Sequence, residues 1–200
     1  MAEKSLSQII KERIIQNGEN RMYVNSDFAD LQNDALVSKV LSRLETEGML
    51  VRLTQGLYLY PKRTKYGIVM PTLFEIAQAI SEKEQAHVIP SGMTALNKLG
   101  LSTQVPMNAV YITDGTPRKI KIGNQTITFK RATPKMFAYK SVLFPLVVSA
   151  MKELGEKGVS DDVVEYIIKV LDKEDDRENL RHDYMMAPGW IRKRLNAIAI

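Results

Sequence analysis

The sequence predicts an α+β protein of two domains, the second of which combines a small β-sheet with C-terminal helices. Two observations support this class. Residues 1–65 contain three helical patterns followed by two short apolar strands. Residues 88–131 alternate strand-like segments with turn residues, and helical patterns fill the rest of the chain. We place the domains at residues 1–65 and 71–200, with a linker over about 61–71 that contains two prolines and a glycine.

The first three elements are predicted to be helices. Apolar residues recur at helical spacing over residues 6–15, and the Asn-Gly pair that follows is typical of a helix end. After a short extended piece, Asn25 or Ser26 is the predicted N-cap of a short second helix. The third helix, in the sequence DALVSKVLSRLETEG, carries a long apolar stripe and ends at Gly48.

A predicted hairpin follows the third helix. Its strands have the sequences MLVRL and LYLY, and the residues TQG join them. Gly56 in this connection can take the positive φ that a tight turn requires. Three helices followed by a hairpin is the order of a winged helix-turn-helix. In that arrangement the third helix enters the major groove of DNA, and the hairpin, or wing, lies over the adjoining backbone.

The side chains opposite the apolar stripe of the third helix suit a DNA groove. They are small and polar or basic, and no acidic side chain lies at the centre of the face. The wing and its exit add phosphate-binding chemistry. The predicted DNA-binding residues are Asn33, Ser38, Lys39, Ser42, Arg43, Arg52, Thr54, Gln55, Tyr58, Lys62 and Arg63. A solvated helix face, a core role for Tyr58 and a solvated linker remain open.

The segment VSKVLSRLETEGMLVRLTQGLYLYPK resembles the N-terminal winged helix of the AbiEi-like antitoxins of type IV toxin–antitoxin systems. In that family a helix ending in Leu-x-x-Leu-x-x-x-Gly is followed by an Arg-bearing strand and Gly-x-Tyr. The matching positions here are Leu41, Leu44, Gly48, Arg52, Gly56 and Tyr58. The resemblance implies that the first domain binds DNA.

The second domain is predicted to begin with a helix capped by Thr72. The strand HVIP then leads to a Ser-Gly pair, and MTALNKLGL forms a compact helix that closes at Gly100. Three strand patterns follow, NAVYIT, RKIKI and TITFKR, separated by Asp-Gly and Gly-Asn turn signals. From residue 139 the pattern is helical, with breaks at 155–158 and 188–189.

Residues 87–137 resemble the second domain of the same antitoxin-like proteins. The shared features are Pro-Ser-Gly, a helix with Ala and Leu-Gly-Leu, Gln-x-Pro, a Thr-x-Gly turn and a basic hairpin, in the same order. Together the two resemblances cover about residues 28–137. They imply a regulator that represses its own operon by binding the operator, and that counteracts a nucleotidyltransferase-like toxin.

The candidates for catalysis are weak, and we predict that the protein is not an enzyme. Ser91 lacks the Gly-x-Ser-x-Gly and Gly-x-x-x-x-Gly-Lys spacings, so a helix N-cap is the better interpretation. His87 and His182 stand far apart in a chain without cysteine, which disfavours a zinc site. Asp161-Asp162 suits a helix start, and Asp175-Asp176 a solvated turn. We expect no metal and no cofactor.

A second basic surface is predicted on the strands RKIKI and TITFKR. Cations alternate there with Ile and Phe, which predicts one cationic and one apolar face. The cations are Arg118, Lys119, Lys121, Lys130, Arg131 and, just beyond the strands, Lys135. Such a face suits RNA, additional DNA backbone or an acidic protein partner, and a solvated face remains equally open. The alternative function is an RNA-binding or hydrolytic module acting through the second domain.

Charge and hydropathy lead us to expect a cytoplasmic protein. The net charge is +5, and residues 71–140 hold nine basic and four acidic side chains. The longest apolar run, SVLFPLVVSAM, is far shorter than the roughly 20 residues that cross a bilayer, so we expect no membrane partner. The N-terminal segment lacks the uninterrupted apolar stretch of a signal peptide. The sequence leaves the oligomeric state open.

Overall fold

The computed structural model describes residues 5–196. The outermost ends of the two predicted domains, residues 1–4 and 197–200, lie outside the described residues. Helices and small sheets succeed each other along the chain, which confirms the predicted α+β class. Two units divide the chain between Glu84 and Gln85. No helix in the described range is both long and apolar enough to cross a membrane.

Each unit contains both helices and strands. The elements of the first unit are α1 (Leu6–Gln16), β1 (Arg21–Tyr23), a 3₁₀ segment (Asn25–Leu31), α2 (Asp34–Thr46), β2 (Val51–Thr54), β3 (Leu57–Tyr60), β4 (Lys62–Thr64), β5 (Gly67–Val69) and α3 (Leu73–Lys83). Those of the second are β6 (Val88–Ser91), α4 (Met93–Lys98), β7 (Asn108–Thr113), β8 (Arg118–Ile122), β9 (Gln125–Arg131), a 3₁₀ segment (Pro134–Phe137), α5 (Phe144–Leu154), α6 (Asp161–Leu171), α7 (Arg177–Met186) and α8 (Gly189–Arg194).

Strand β3 is the centre of a three-stranded antiparallel sheet with the order β1-β3-β2. Tyr23, Tyr58 and Arg52 lie side by side across its three strands. The two tyrosines face a core that α1 and α2 complete. The other buried residues of this core are Ile10, Ile14, Phe28, Val37, Val40, Leu41, Leu44 and Leu50. The predicted positions of α1, α2 and the β2–β3 hairpin are therefore confirmed.

The opposite face of β3 is buried as well. Leu57 and Leu59 alternate with the core-facing tyrosine, and they are 1% and 0% exposed. Helix α3 borders this face, because Met22 and Leu57 line a cavity of about 160 Å³ together with Ala79 and Lys83 of α3. Strand β3 of the wing-like hairpin is thus covered on both sides.

Helix α3 belongs to the first unit, although the sequence predicted it as the start of the second domain. Thr72 caps it as predicted, since the Thr72 hydroxyl accepts from the Glu75 amide at 3.2 Å. At the other end of α3, the Lys83 ammonium donates to the Gln55 carbonyl at 3.3 Å. The boundary between the two units of the chain falls after Glu84, so α3 belongs to the first. Periodicity predicts that a helix forms but not which sheet it packs against, and the sequence therefore did not indicate this boundary.

The predicted linker is instead a β-hairpin. Strands β4 and β5 pair antiparallel, with Lys62 opposite Val69. The Thr64 hydroxyl closes the turn, because it donates to the Gly67 carbonyl at 3.0 Å and accepts from the Tyr66 amide at 3.2 Å. Gly67 has a φ of +117°, which favours glycine there. Both prolines stand outside the strands and leave the ladder intact, so a linker-like composition still forms a hairpin.

The predicted second helix is a 3₁₀ segment, and its predicted N-cap is wrong. The segment begins at Asn25, and Val24 occupies the N-cap position. The Asp27 carboxylate accepts from the Val24 amide at 2.7 Å. Phe28 is buried and has a φ of −122°, outside the helical range. The segment is therefore two short helical turns separated by a kink at Phe28.

The sheet of the second unit has the order β6-β7-β9-β8. Strands β7 and β9 are parallel, and the other neighbours are antiparallel. The strands predicted at 108–113 and 118–122 are confirmed, and the third covers Gln125–Arg131. Strands β8 and β9 form a hairpin. Within the sheet, β9 lies beside β7 and β8 forms the edge.

Helices α4 to α8 share an apolar core. Helix α5 is buried on most of its surface, including Phe144, Val147 and Met151. The breaks predicted at 155–158 and 188–189 separate observed helices, which confirms them. The later helices contribute Ile167, Leu171, Leu180, Ile191 and Leu195 to this core.

The predicted capping role of Ser91 is wrong. Ser91 is the last residue of β6 and pairs with Val110, while Gly92 occupies the N-cap position of α4. The Thr94 hydroxyl of α4 accepts from the Val110 amide at 2.9 Å. The strand-to-helix junction is therefore tied to the sheet by Thr94.

A buried carboxylate joins α7 to the segment before α5. Asp183 is 0% exposed. It accepts from the backbone amides of Lys140 and Ser141 at 2.9 and 2.8 Å and from the Ser141 hydroxyl at 2.7 Å. The Nδ1 atom of His182 lies 2.9 Å away. Burial favours a higher pKa for Asp183, but these hydrogen bonds outweigh it and hold the pKa below its ordinary value.

Replacing Asp183 by asparagine is expected to lower the free energy of unfolding by about 2–4 kcal/mol. The neutral amide accepts fewer of the converging hydrogen bonds and leaves donors buried without a partner. Urea denaturation followed by circular dichroism measures the change. Asp162→Asn, at an exposed site in α6, is the control and should cost less than about 1 kcal/mol. Equal stability of the two variants would contradict a structural role for Asp183.

Stability should also depend on Asp183 in acid. Because the folded-state pKa is lowered, the contribution of this carboxylate is complete above the ordinary pKa of about 3.9 and is lost as the pH falls through the folded-state value. Below about pH 4, the free energy of unfolding should therefore fall more steeply in the wild type than in Asp183→Asn. Parallel pH profiles of the two proteins would contradict the shift.

Candidate nucleic-acid interface

The outer face of α2 has the composition that the sequence predicted. Its apolar stripe is buried against the core of the first unit. The residues exposed on the other side are Ala35, Ser38, Lys39, Ser42, Arg43 and Thr46. Small side chains thus lie at the centre of the face, and longer basic ones lie at its side.

Local hydrogen bonds fix part of this face. The Asn25 side-chain amide donates to the Ser38 hydroxyl, and the Thr46 hydroxyl donates to the Ser42 carbonyl at 3.1 Å. Within residues 5–196, no hydrogen bond or ion pair engages the Lys39 ammonium. Lys39 can therefore approach a phosphate without first breaking a contact.

Arg43 is less available than Lys39. Its guanidinium donates to the Ser7 hydroxyl of α1, and its Nε atom lies 3.5 Å from the Glu47 carboxylate. Glu47 is exposed, as is Asp34 at the start of α2. A phosphate bound at Arg43 would compete with Glu47, but an exposed ion pair of this kind contributes little and is readily exchanged.

Asn33, a predicted DNA-binding residue, has a structural role. Its side-chain oxygen accepts from the Leu36 amide at 3.1 Å and so caps the start of α2. This bond satisfies one of the amides that a helix leaves unpaired at its N-terminus. The acceptor of Asn33 is therefore already used, and its amide group remains as a donor.

The structure contradicts the prediction that Tyr58 contacts DNA. Tyr58 is 5% exposed and belongs to the core between the sheet, α1 and α2. Its neighbour across the strands, Arg52, is exposed on the edge strand β2, on the sheet face that packs on α2. A residue of a central strand is enclosed, whereas one on an edge strand reaches solvent. Arg52 thus extends the basic surface of α2.

The turn between β2 and β3 is partly covered by Lys83 of α3. Thr54 is half-buried and Gln55 is exposed. The Gln55 carbonyl accepts from the Lys83 ammonium, and a Cβ atom added at Gly56 would lie 2.6 Å from the same ammonium. Lys83 therefore covers one side of the turn that a wing would present to DNA.

The hairpin β4–β5 carries the cations that the sequence placed on a linker. Residues 62–70 are all exposed, and the Arg63 guanidinium donates to the Gly48 carbonyl just after α2 at 2.7 Å. Tyr66, which is not among the predicted DNA-binding residues, is 88% exposed at the tip, with the Lys65 ammonium 4.9 Å from its ring centroid. The β-branched residues on both sides of the turn were the signal for a hairpin.

The cations predicted on the strands of the second unit do not share one face. The register places three of them on the same face, namely Lys119, Lys121 and Lys130. Arg118 and Arg131 lie on the opposite face with the apolar side chains, and the Arg118 guanidinium carbon is 5.5 Å from the ring centroid of Phe129. Lys135 lies beyond the strands in the 3₁₀ segment. Strand alternation separates the two sets, so the predicted cationic face consists of the three lysines.

Both histidines pair with aspartates, in separate places. The Nδ1 atom of His87 lies 2.8 Å from Asp114, whose other oxygen accepts from the His87 amide at 2.7 Å. Burial raises the pKa of Asp114, but the bonds from His87 outweigh it and the net shift is downward. His182 belongs to the network around Asp183. Among the described residues, no cluster of three or more metal-ligating side chains occurs.

Ser91 lies at a cavity of about 230 Å³ in the second unit. The cavity is also lined by Ser149, Lys152 and Glu153. In the described part of the chain, the hydrogen bonds of the two histidines lead to aspartates and not to Ser91. The Ser91 hydroxyl therefore lacks the imidazole base that commonly activates a serine nucleophile.

Comparison with known proteins adds one finding. The model of DUF6088, a family of unknown function, matches residues 9–180. The match extends into both units. No curated protein matches the chain.

Measurements of the free energy of unfolding can distinguish the capping role of Asn33 from the surface role of Lys39. Asn33→Ala should lower the free energy of unfolding by about 1 kcal/mol, because it removes the cap of α2. Lys39→Ala should leave it within about 0.5 kcal/mol, since the Lys39 side chain is exposed. Urea denaturation of both variants checks this, and a neutral Asn33→Ala would contradict the cap.

Proposed function

This chain belongs to the DUF6088 family, whose function is unknown, and we propose that it is a DNA-binding transcriptional regulator. Its proposed ligand is double-stranded DNA at the operator of its own operon. We place its action in the cytoplasm, and we assign it no enzymatic activity, metal or cofactor.

The outer face of α2 is the observation that carries this function. A major groove about 12 Å wide admits a helix whose exposed side chains are short. Ala35, Ser38 and Ser42 meet this requirement, and Lys39 offers an exposed ammonium to the phosphates beside them. The buried stripe on the other side of α2 holds the helix against the sheet, so this face is presented by a rigid element.

Charge around α2 supports the same ligand. Between Glu47 and Glu75 the sequence contains no acidic residue, but it contains Arg52 and the cations of the β4–β5 hairpin. Residues 48–74 therefore present no carboxylate that would repel a phosphate. Such a surface supplies the salt-dependent part of DNA affinity, whereas contacts from α2 to base edges would supply specificity.

The proposed role of the second unit rests on resemblance. The order of motifs in residues 87–137 is similar to that of the AbiEi-like antitoxins. On this basis we propose that the regulator is an antitoxin that opposes a nucleotidyltransferase-like toxin. A reading frame for such a toxin beside the gene would support this part, and its absence would leave a plain regulator.

A second candidate function has one observation in its favour. Lys119, Lys121 and Lys130 are exposed on one face of the sheet, at the side where β8 forms the edge. Two of these lysines lie on β8 and one on β9, and a cationic face of this kind suits a phosphate backbone, as in an RNA-binding module. Threonines alternate with these lysines, and the face carries no exposed aromatic ring from β8 or β9 on which an unpaired base would stack.

Replacing both Lys39 and Arg43 by alanine should weaken binding to a duplex from the region upstream of the gene by about tenfold or more. Each cation that neutralises a phosphate releases a counterion, so the salt dependence should also become shallower by roughly two phosphate contacts. Gel shifts between about 50 and 200 mM salt measure both quantities.

The matched control removes the same charge from exposed sites of the second unit. Lys157→Ala with Arg181→Ala should retain the affinity and salt dependence of the wild type, since both residues are exposed in the second unit and belong to neither proposed nucleic-acid surface. Unchanged binding by the Lys39 and Arg43 variant would contradict the role of α2. Absence of binding by the wild type would overturn the proposed function.

A further inference from the structure

The two hairpins of the first unit differ in their exposure to solvent. In the β2–β3 hairpin, strand β3 is buried on both faces, Arg52 and Gln55 are exposed, and Lys83 binds the Gln55 carbonyl at the turn. The β4–β5 hairpin is exposed along its whole length, over residues 62–70. A DNA duplex can therefore approach the second hairpin from more directions than the first.

The tip of the β4–β5 hairpin presents one cation and one aromatic ring. Tyr66 is 88% exposed, and the Lys65 ammonium lies over its ring, 4.9 Å from the centroid. A large apolar side chain exposed to this extent has few contacts to lose when it binds a partner. Lysine beside an inserted apolar or aromatic side chain is a combination that minor-groove binders use.

Strand β4 of this hairpin is fastened close to α2. Arg63 donates to the Gly48 carbonyl, and Gly48 follows α2 by two residues. Arg63 is the middle residue of β4, and two residues at about 3.3 Å each separate it from Lys65, so the tip projects roughly 7 Å from its anchor. Since the minor groove is only about 6 Å wide, such a reach can cross one phosphate ridge beside a helix seated in the major groove.

We propose that the β4–β5 hairpin, rather than the β2–β3 hairpin, is the second DNA-contacting element of this protein, with Lys65 and Tyr66 at the minor groove. Lys62 and Lys65 contact the flanking phosphates, and the Tyr66 ring lies against sugars and base edges. This inference rests on the proposed function, because it needs α2 to lie in the adjoining major groove.

Methylation protection of the upstream duplex separates the two grooves. Dimethyl sulfate modifies N7 of guanine in the major groove and N3 of adenine in the minor groove. The full-length wild type should protect both kinds of atom. Lys65→Ala with Tyr66→Ala should lose the adenine protection, keep the guanine protection, and bind at least about fivefold more weakly. Its thermal melting should match the wild type, since both side chains are exposed at the tip.

Gln55→Ala provides the matched control at the tip of the other hairpin. It should protect guanine and adenine as the wild type does. Loss of adenine protection in Gln55→Ala, with retention in the Lys65 and Tyr66 variant, would overturn the inference and return the role to the β2–β3 hairpin. Full protection by both variants would also overturn it. A wild type that protects neither atom would refute the proposed function itself, and the inference with it.

Discussion

Both faces of strand β3 are buried, and this constraint determines which parts of the first unit reach solvent. Tyr58 on one face fixes α1 and α2, so that the polar side of α2 points outward. Leu57 and Leu59 on the other face need cover as well, and α3 borders that side. Because β3 is enclosed in this way, the β4–β5 hairpin is the more exposed of the two hairpins.

Much of the first unit could be predicted from local patterns, because its helices and strands carry strong periodicity and turn residues. The exposed and buried sides of α2 follow from its stripe, and the turns after Gly48 and at Gly56 follow from their glycines. Tyr58 could not be placed, since a two-residue period does not tell whether the second face of a strand is also covered. The position of α3 depends on tertiary packing for the same reason.

In the second unit, the strands were predicted closely but their arrangement was not. The alternation of apolar and polar residues located β7, β8 and β9. Which face of the sheet carries Lys119 and which carries Arg118 could be assigned only from the observed strand pairing. The sequence did not indicate that Asp183 is buried, because a carboxylate in a charged helix is ordinarily expected to be solvated. Its amide donors come from Lys140 and Ser141, which only the fold brings close to it. The antitoxin role proposed for this unit draws on motif order and not on these contacts.

Lysine footprinting by mass spectrometry, with and without the upstream duplex, tests the central claim most directly. The exposed lysines of the two candidate surfaces react separately, so one experiment compares them in the intact chain. Protection of Lys39, Lys62 and Lys65 is the result that DNA binding through α2 and the β4–β5 hairpin predicts. Protection confined to Lys119, Lys121 and Lys130 would contradict it and would assign nucleic-acid binding to the second unit.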